Sequence, residues 1–173
     1  IEVAVEPVAQ PRLGDDLVVM VDQEGGEVAR LRRERGFCDS LPSAARFAAL
    51  SGPEQRNAAR RQADALAAVG IDVNLAPVVD LAVLPEGPLA AVQRSYGSNP
   101  RRVTGCAQVI VEAHRAAGIA SCLKHFPGLG SVPDDTHEVL PVLDGVYDPT
   151  RELAPYRELI QGPLPPEMIM AAH

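Results

Sequence analysis

The sequence predicts an α/β fold in which about four strand-helix units feed one parallel sheet. Short apolar or β-branched runs alternate with longer segments of helical periodicity. The two longest helical segments each carry a capping signal at the start and a glycine stop at the end. Gly, Pro and charged residues gather where the short runs end, which is where a parallel sheet collects its functional groups. A composition of 46% hydrophobic and 23% charged residues over 173 positions suits one globular unit with a real core. Three Phe, three Tyr and no Trp leave aliphatic side chains and Ala to supply most of the buried surface.

The first strand is read over 17–21, apolar throughout as a strand buried on both faces should be, and it ends at Asp22. A helix opens with Ser51 and Glu54 in capping-box spacing around Pro53 and runs to Gly70. Residues 71–76 form a second strand closed by Pro77. Asn99-Pro100 starts a second helix, with Val103, Cys106, Ile110 and Ala117 at helical spacing before Gly118 stops it. Residues 119–123 are the third strand, a weaker helix begins at Asp148-Pro149 and is interrupted by Pro155, and 168–171 give a fourth apolar run. Four strands with three intervening helices suit half of a (β/α)₈ TIM barrel, which needs about 250 residues. A fragment, an open sheet and a barrel completed by a second chain all remain compatible with that count.

The formal charge of −7, with Arg scattered among Asp and Glu, argues against a nucleic-acid partner, and the cluster Arg30, Arg32, Arg33, Arg35 reads mostly as a solvated loop. Cys38, Cys106 and Cys122 lack the pairing of a disulfide framework or a zinc site, so reduced thiols and no metal are expected. No apolar run approaches the roughly 20 residues of a membrane span. No basic stretch precedes an apolar run at the start, so a cytoplasmic location is expected; the chain begins at Ile1, so secretion or lipid anchoring after removal of a leader is the alternative.

Four clusters sit at the predicted strand ends: 22–26, 74–80, 124–130 and 171–173. Lys124-His125 offers two hydrogen-bonding groups suited to vicinal hydroxyls of a sugar, on a backbone path set by the Phe-Pro-Gly-Leu-Gly that follows. Asp135-Thr136-His137 places a carboxylate and an imidazole on one side of an extended segment. A carboxylate accepting from Nδ1 fixes the ring's tautomer, which makes His137 a candidate general acid and then base. A surface Asp-x-His is the plain alternative for the triplet taken singly. Asp22 serves equally well as a strand cap or a ligand, Arg94 before Ser95-Tyr96-Gly97 reads singly as a surface residue, and His114 as structural or exposed. Gly25-Gly26 is a weak phosphate-cradle signal, because the usual glycine spacings are absent.

Taken in order, Val21-Asp22-Gln23-Glu24-Gly25-Gly26 with Val28 and Arg30, Asn74 through Asp80, Arg94-Ser95-Tyr96-Gly97, Lys124-His125-Phe126-Pro127-Gly128, and Asp135-Thr136-His137 with Leu140-Pro141 resemble the bacterial β-N-acetylglucosaminidases of glycoside hydrolase family 3. The resemblance runs from about Val18 to His173. It implies a retaining glycosidase that removes terminal β-linked N-acetylglucosamine from muropeptide or chitooligosaccharide substrates through a covalent glycosyl-enzyme, without a cofactor. By matching position, Asp22, Arg30, Arg94, Lys124 and His125 are the sugar-binding residues, and Asp135 and His137 the acid/base dyad. β-Glucosidases of the family generally take their acid from a later domain, so a local Asp-x-His favours the glucosaminidase branch.

Leu129 stands where these enzymes commonly carry His, the segment 1–14 does not match the family's first βα unit, and nothing here aligns with the nucleophilic Asp. The resemblance therefore implies that 1–173 is part of the N-terminal catalytic barrel, lacking its first and last segments, inactive alone and prone to self-association through uncovered sheet edges. A sugar-binding relic without nucleophile and a β-glucosidase of the same family are the rival readings.

Overall fold

The computed structural model describes residues 17–37, 40–133 and 145–172. Four parallel strands, β1 (Met20–Val21), β2 (Val73–Asn74), β3 (Ala120–Phe126) and β4 (Met168–Ala171), lie side by side in chain order. Helices α1 (Ala44–Ala49) and α2 (Gly52–Ala68) connect β1 to β2. Helices α3 (Pro88–Ala91) and α4 (Pro100–Ala116) connect β2 to β3, and α5 (Pro149–Glu152) and α6 (Ala154–Gln161) precede β4. This is the predicted α/β architecture of consecutive βα units, consistent with part of a (β/α)₈ barrel.

Local sequence accounts for the two long helices. At the start of α2 the Glu54 carboxylate reaches back to accept from the Ser51 amide at 2.8 Å, the carboxylate half of a capping box, and it also accepts from the Ser51 hydroxyl at 2.7 Å. Asn99 caps α4 by accepting from Arg101 N at 2.9 Å, with Pro100 in the first turn, where its missing N–H costs nothing. Val103, Cys106, Ala107, Ile110, Val111 and His114 make one buried stripe along α4, which packs on α2, α6 and β3. Leu81, Leu123, Phe47, Tyr156 and Leu159 complete the core. Each such aliphatic or aromatic side chain contributes roughly 1.5–3 kcal/mol by leaving water.

Strand boundaries depart from the sequence reading. The first strand keeps only two residues in the ladder, and Leu17 and Val18 are each 59% exposed, contrary to burial on both faces. Among the described strands β1 is an edge and has only β2 beside it. The second strand shrinks to Val73–Asn74, because Ala76 N turns back to Asn74 O at 2.7 Å and Pro77 has no N–H to offer. The third is longer than expected, so Lys124 and His125 belong to the strand itself. Pro155 does not interrupt a helix; it sits in the first turn of α6, and the break falls at Leu153. Among the described residues no helix is long and apolar enough to cross a membrane.

Candidate active site

The C-terminal ends of β1, β3 and β4 open onto one cavity of ≈ 640 Å³. Its charged wall is Asp22 and Glu24 after β1, Arg94 after α3, and Lys124 and His125 on β3. Leu129, Val92 and Met170 are among its apolar lining. Gly25 and Gly26 turn the chain directly behind this wall with φ of +113° and +58°. A Cβ on Gly25 would sit 2.6 Å from Pro42 O, so close backbone approach is what demands glycine there, and the pair forms a turn instead of a phosphate cradle.

The wall is a chain of alternating charges. Lys124 Nζ lies 2.6 Å from both Asp22 Oδ1 and Glu24 Oε1, and Glu24 receives a two-pronged bond from Arg94, Nη2 at 2.7 Å and Nε at 2.8 Å. The Lys124 side chain is only 2% exposed, so its role as a surface charge is excluded. Burial pushes the Glu24 carboxyl up, but the hydrogen bonds and charges of Arg94 and Lys124 outweigh it and hold the group below the usual carboxylate range. Asp22 is the open member, with 34% of its side chain exposed.

His125 is held from behind. Its Nδ1 meets Asp80 Oδ2 at 2.7 Å, and the same carboxylate accepts from the backbone N of His125 and of Leu129, both at 3.1 Å to Oδ1. With Nδ1 donating to Asp80, Nε2 faces the cavity beside Arg94 Nη2 at 3.5 Å, ready to accept. A second buried carboxylate, Glu152, fastens the next stretch of the loop by accepting from Gly130 N at 3.2 Å and from the Ser131 hydroxyl. Burial raises the Glu152 carboxyl despite those two donors.

Of the residues singled out from sequence, Asp22, Arg94, Lys124 and His125 converge on the cavity, and exposed Arg30 lines it too. Asp135 and His137, together with Leu140, Pro141 and His173, lie outside the described residues. Glu24, Asp80 and Glu152 were not among the predicted site residues. The first two stand inside the motif clusters, and that position at a predicted strand end was the available signal; Glu152 sits in a weak helix and offered none.

His114 is buried, with Nδ1 2.9 Å from Ser121 Oγ and Nε2 3.2 Å from Asn74 Nδ2. Burial pushes its pKa down to about 4 from the ordinary 6.5, with Glu167 opposing. The neutral ring is therefore favoured by folding, and its contribution is full above pH 6.5, falls between pH 6.5 and pH 4, and is gone below. At about 1.4 kcal/mol per pH unit the window is worth about 3 kcal/mol. Denaturant titrations across that range should show a steeper loss of stability for the wild type than for His114→Gln; equal slopes would contradict it.

A parallel βα sheet in which the ends of β1 and β3 aim charged, hydrogen-bonding groups into one cavity, with the end of β4 beside them, defines a ligand site of the barrel class. The profile of the glycosyl hydrolase family 3 N-terminal domain matches residues 2–173, and the chain belongs to that family. Within it the similarity is to the β-hexosaminidase branch. The chain is 38% identical to β-hexosaminidase A of Pseudoalteromonas piscicida over 91% of its own length and 27% of that protein's. It is 38% identical to β-hexosaminidase LpqI of Mycobacterium tuberculosis over 86% of itself and 38% of the relative. Among solved structures, the family 3 β-N-acetylglucosaminidase of a Paenibacillus species superposes with a TM-score of 0.78 at 36% identity, covering 91% of this chain and 29% of that one. Mycobacterium tuberculosis LpqI superposes at 0.76 and 34% identity, covering 91% and 45%. The chain thus spans half or less of the length of these relatives.

Proposed function

We propose that the protein to which this chain belongs is a retaining β-N-acetylhexosaminidase acting on muropeptide- or chitin-type saccharides. The observation that carries this reading is the convergence of Asp22, Arg94, Lys124 and His125 on one cavity, with an Asp135-x-His137 pair a few residues downstream in sequence. Asp22, the exposed end of the charge chain, accepts from sugar hydroxyls, while buried Lys124 donates a proton of its ammonium group toward the same ring. His125 presents Nε2, fixed by Asp80 at Nδ1, and Arg94 and Arg30 line the remaining rim.

In this scheme His137, held by Asp135, protonates the glycosidic oxygen as a carboxylate attacks the anomeric carbon and the aglycone leaves. His137 then takes a proton from water, whose oxygen displaces the carboxylate and releases the sugar. Glu24 and Asp80 are poor nucleophiles: Arg94 and Lys124 occupy the first, and the Leu129 and His125 N–H groups with the His125 ring occupy the second. The scheme therefore assigns the nucleophile's role to another carboxylate, about 5 Å from the acid/base.

Initial rates of the full-length protein on chromogenic β-N-acetylglucosaminide and β-glucoside test this. Preference for the N-acetylated substrate is expected, and Asp22→Ala should lower kcat/KM about 10- to 100-fold, as for loss of a hydrogen bond to a charged group. Cleavage of the glucoside alone, or no cleavage of either with intact sugar binding, would replace this reading by one of the rivals.

A further inference from the structure

We propose that Asn74 is a positioning residue for the pair Asp22 and Glu24, and that buried His114 holds the Asn74 amide in its working orientation. The inference rests on reading the cavity as a sugar site. The ladder between β1 and β2 stops at the pairing of Val21 with Asn74. Two residues further on, at Gln23, the Asn74 side chain takes over the strand's role. Its Oδ1 accepts from Gln23 N at 3.0 Å and its Nδ2 donates to Gln23 O at 3.0 Å.

Gln23 is the residue between the two cavity carboxylates, and in an extended segment alternate side chains face opposite ways. Its own side chain points away from the cavity, where Oε1 accepts from Arg30 N and Leu31 N and Nε2 donates to Leu31 O and Ser40 Oγ. Asp22 and Glu24 are thereby turned together toward Lys124, which requires both within 2.6 Å of one ammonium nitrogen. A rotation about Gln23 would separate them. The Asn74 grip on both backbone groups of Gln23 forbids it.

An Asn amide works in only one of its two orientations here, because a flip would set oxygen against Gln23 O and nitrogen against Gln23 N. The second Nδ2 hydrogen decides the matter: it points at His114 Nε2, 3.2 Å away, which accepts it when the ring proton is on Nδ1. That proton is given to Ser121 Oγ on β3. Asn74 is fully buried, out of reach of the bulk solvent that could otherwise substitute for these partners.

The test uses the full-length protein and N-acetylglucosamine as the probe, with titration calorimetry for affinity, thermal unfolding for integrity and ring-nitrogen NMR for His114. The wild type should show His114 protonated on Nδ1 and not on Nε2. Asn74→Asp, which keeps the acceptor for Gln23 N and loses both donors, should move the ring proton to Nε2. It should weaken the sugar about 10-fold or more while remaining folded, and in kinetics raise KM more than it lowers kcat. His114→Gln, which can still offer an acceptor to Asn74, should stay within about twofold of wild-type affinity, whereas His114→Leu should not. Unchanged affinity in folded Asn74→Asp, or a wild-type ring protonated on Nε2, would overturn the proposal on its own. A wild type that binds no N-acetylglucosamine would sink the sugar-site reading, and this role with it.

Discussion

Replacing His137 by Ala in the full-length protein should slow hydrolysis of an unactivated N-acetylglucosamine disaccharide about 10²–10⁴-fold, the range for a positioned acid/base. Both chemical steps suffer, because the same ring gives a proton to the leaving oxygen and later takes one from water. An activated aryl leaving group needs little protonation, so its release in the first turnover should recover much of the loss while the second step remains slow. A burst of aryl product followed by a slow steady state is the expected trace, and an added small nucleophile should accelerate the steady state. Undiminished turnover of the disaccharide would remove His137 from the mechanism. Asp135→Asn should act in the same direction through the tautomer and orientation of the ring.

The largest expected effect on stability comes from Lys124→Met, which keeps the buried stem and deletes the ammonium. Two carboxylates then lose the cation 2.6 Å from each, and Glu24 keeps only Arg94. Removing one partner from a buried ion network typically costs about 3–5 kcal/mol, because a charge is left uncompensated in low dielectric. Denaturant unfolding at neutral pH measures it. The Glu24 carboxyl is held below its ordinary 4.5, so its ionised form contributes stability above pH 4.5 and loses it as pH falls further. The gap between wild type and Lys124→Met should accordingly narrow in acid. Glu24→Gln in the Lys124→Met background should recover part of the loss, a coupling that a double-mutant cycle reads directly. A cost under about 1 kcal/mol would mean that water reaches the pair as it reaches a surface bridge.

Legibility differed by element. The helices α2 and α4 were readable nearly to the residue, since Ser51 with Glu54, Asn99 with Pro100, and Gly70 and Gly118 act within one turn of chain. Strand limits were less so, because a strand ends where its neighbour stops pairing. The turn of Ala76 onto Asn74 and the missing N–H of Pro77 cut β2 short, while Lys124 and His125, expected beyond β3, lie within it. In the site, the cationic and imidazole members were found from motif order. The carboxylates Glu24 and Asp80 were undervalued, since an acid in a turn looks the same in sequence whether it caps a strand or saturates a buried Arg, Lys or His.

What the sequence by itself determined is the alternation of strands and helices, the family resemblance, and the placement of Asp22, Lys124 and His125 near strand ends. The first and last depend on local propensity, capping and periodicity, which act over a few residues, and the resemblance on the order of five short motifs. What only the tertiary structure decided is who meets whom. Lys124 joins Asp22 across 102 positions, Asn74 grips Gln23 across 51, and a histidine inside α4 orients that grip. Such pairings follow from the register of β1 against β2 and of β2 against β3, and from burial that confines these polar groups to protein partners, and neither quantity exists before the sheet is assembled.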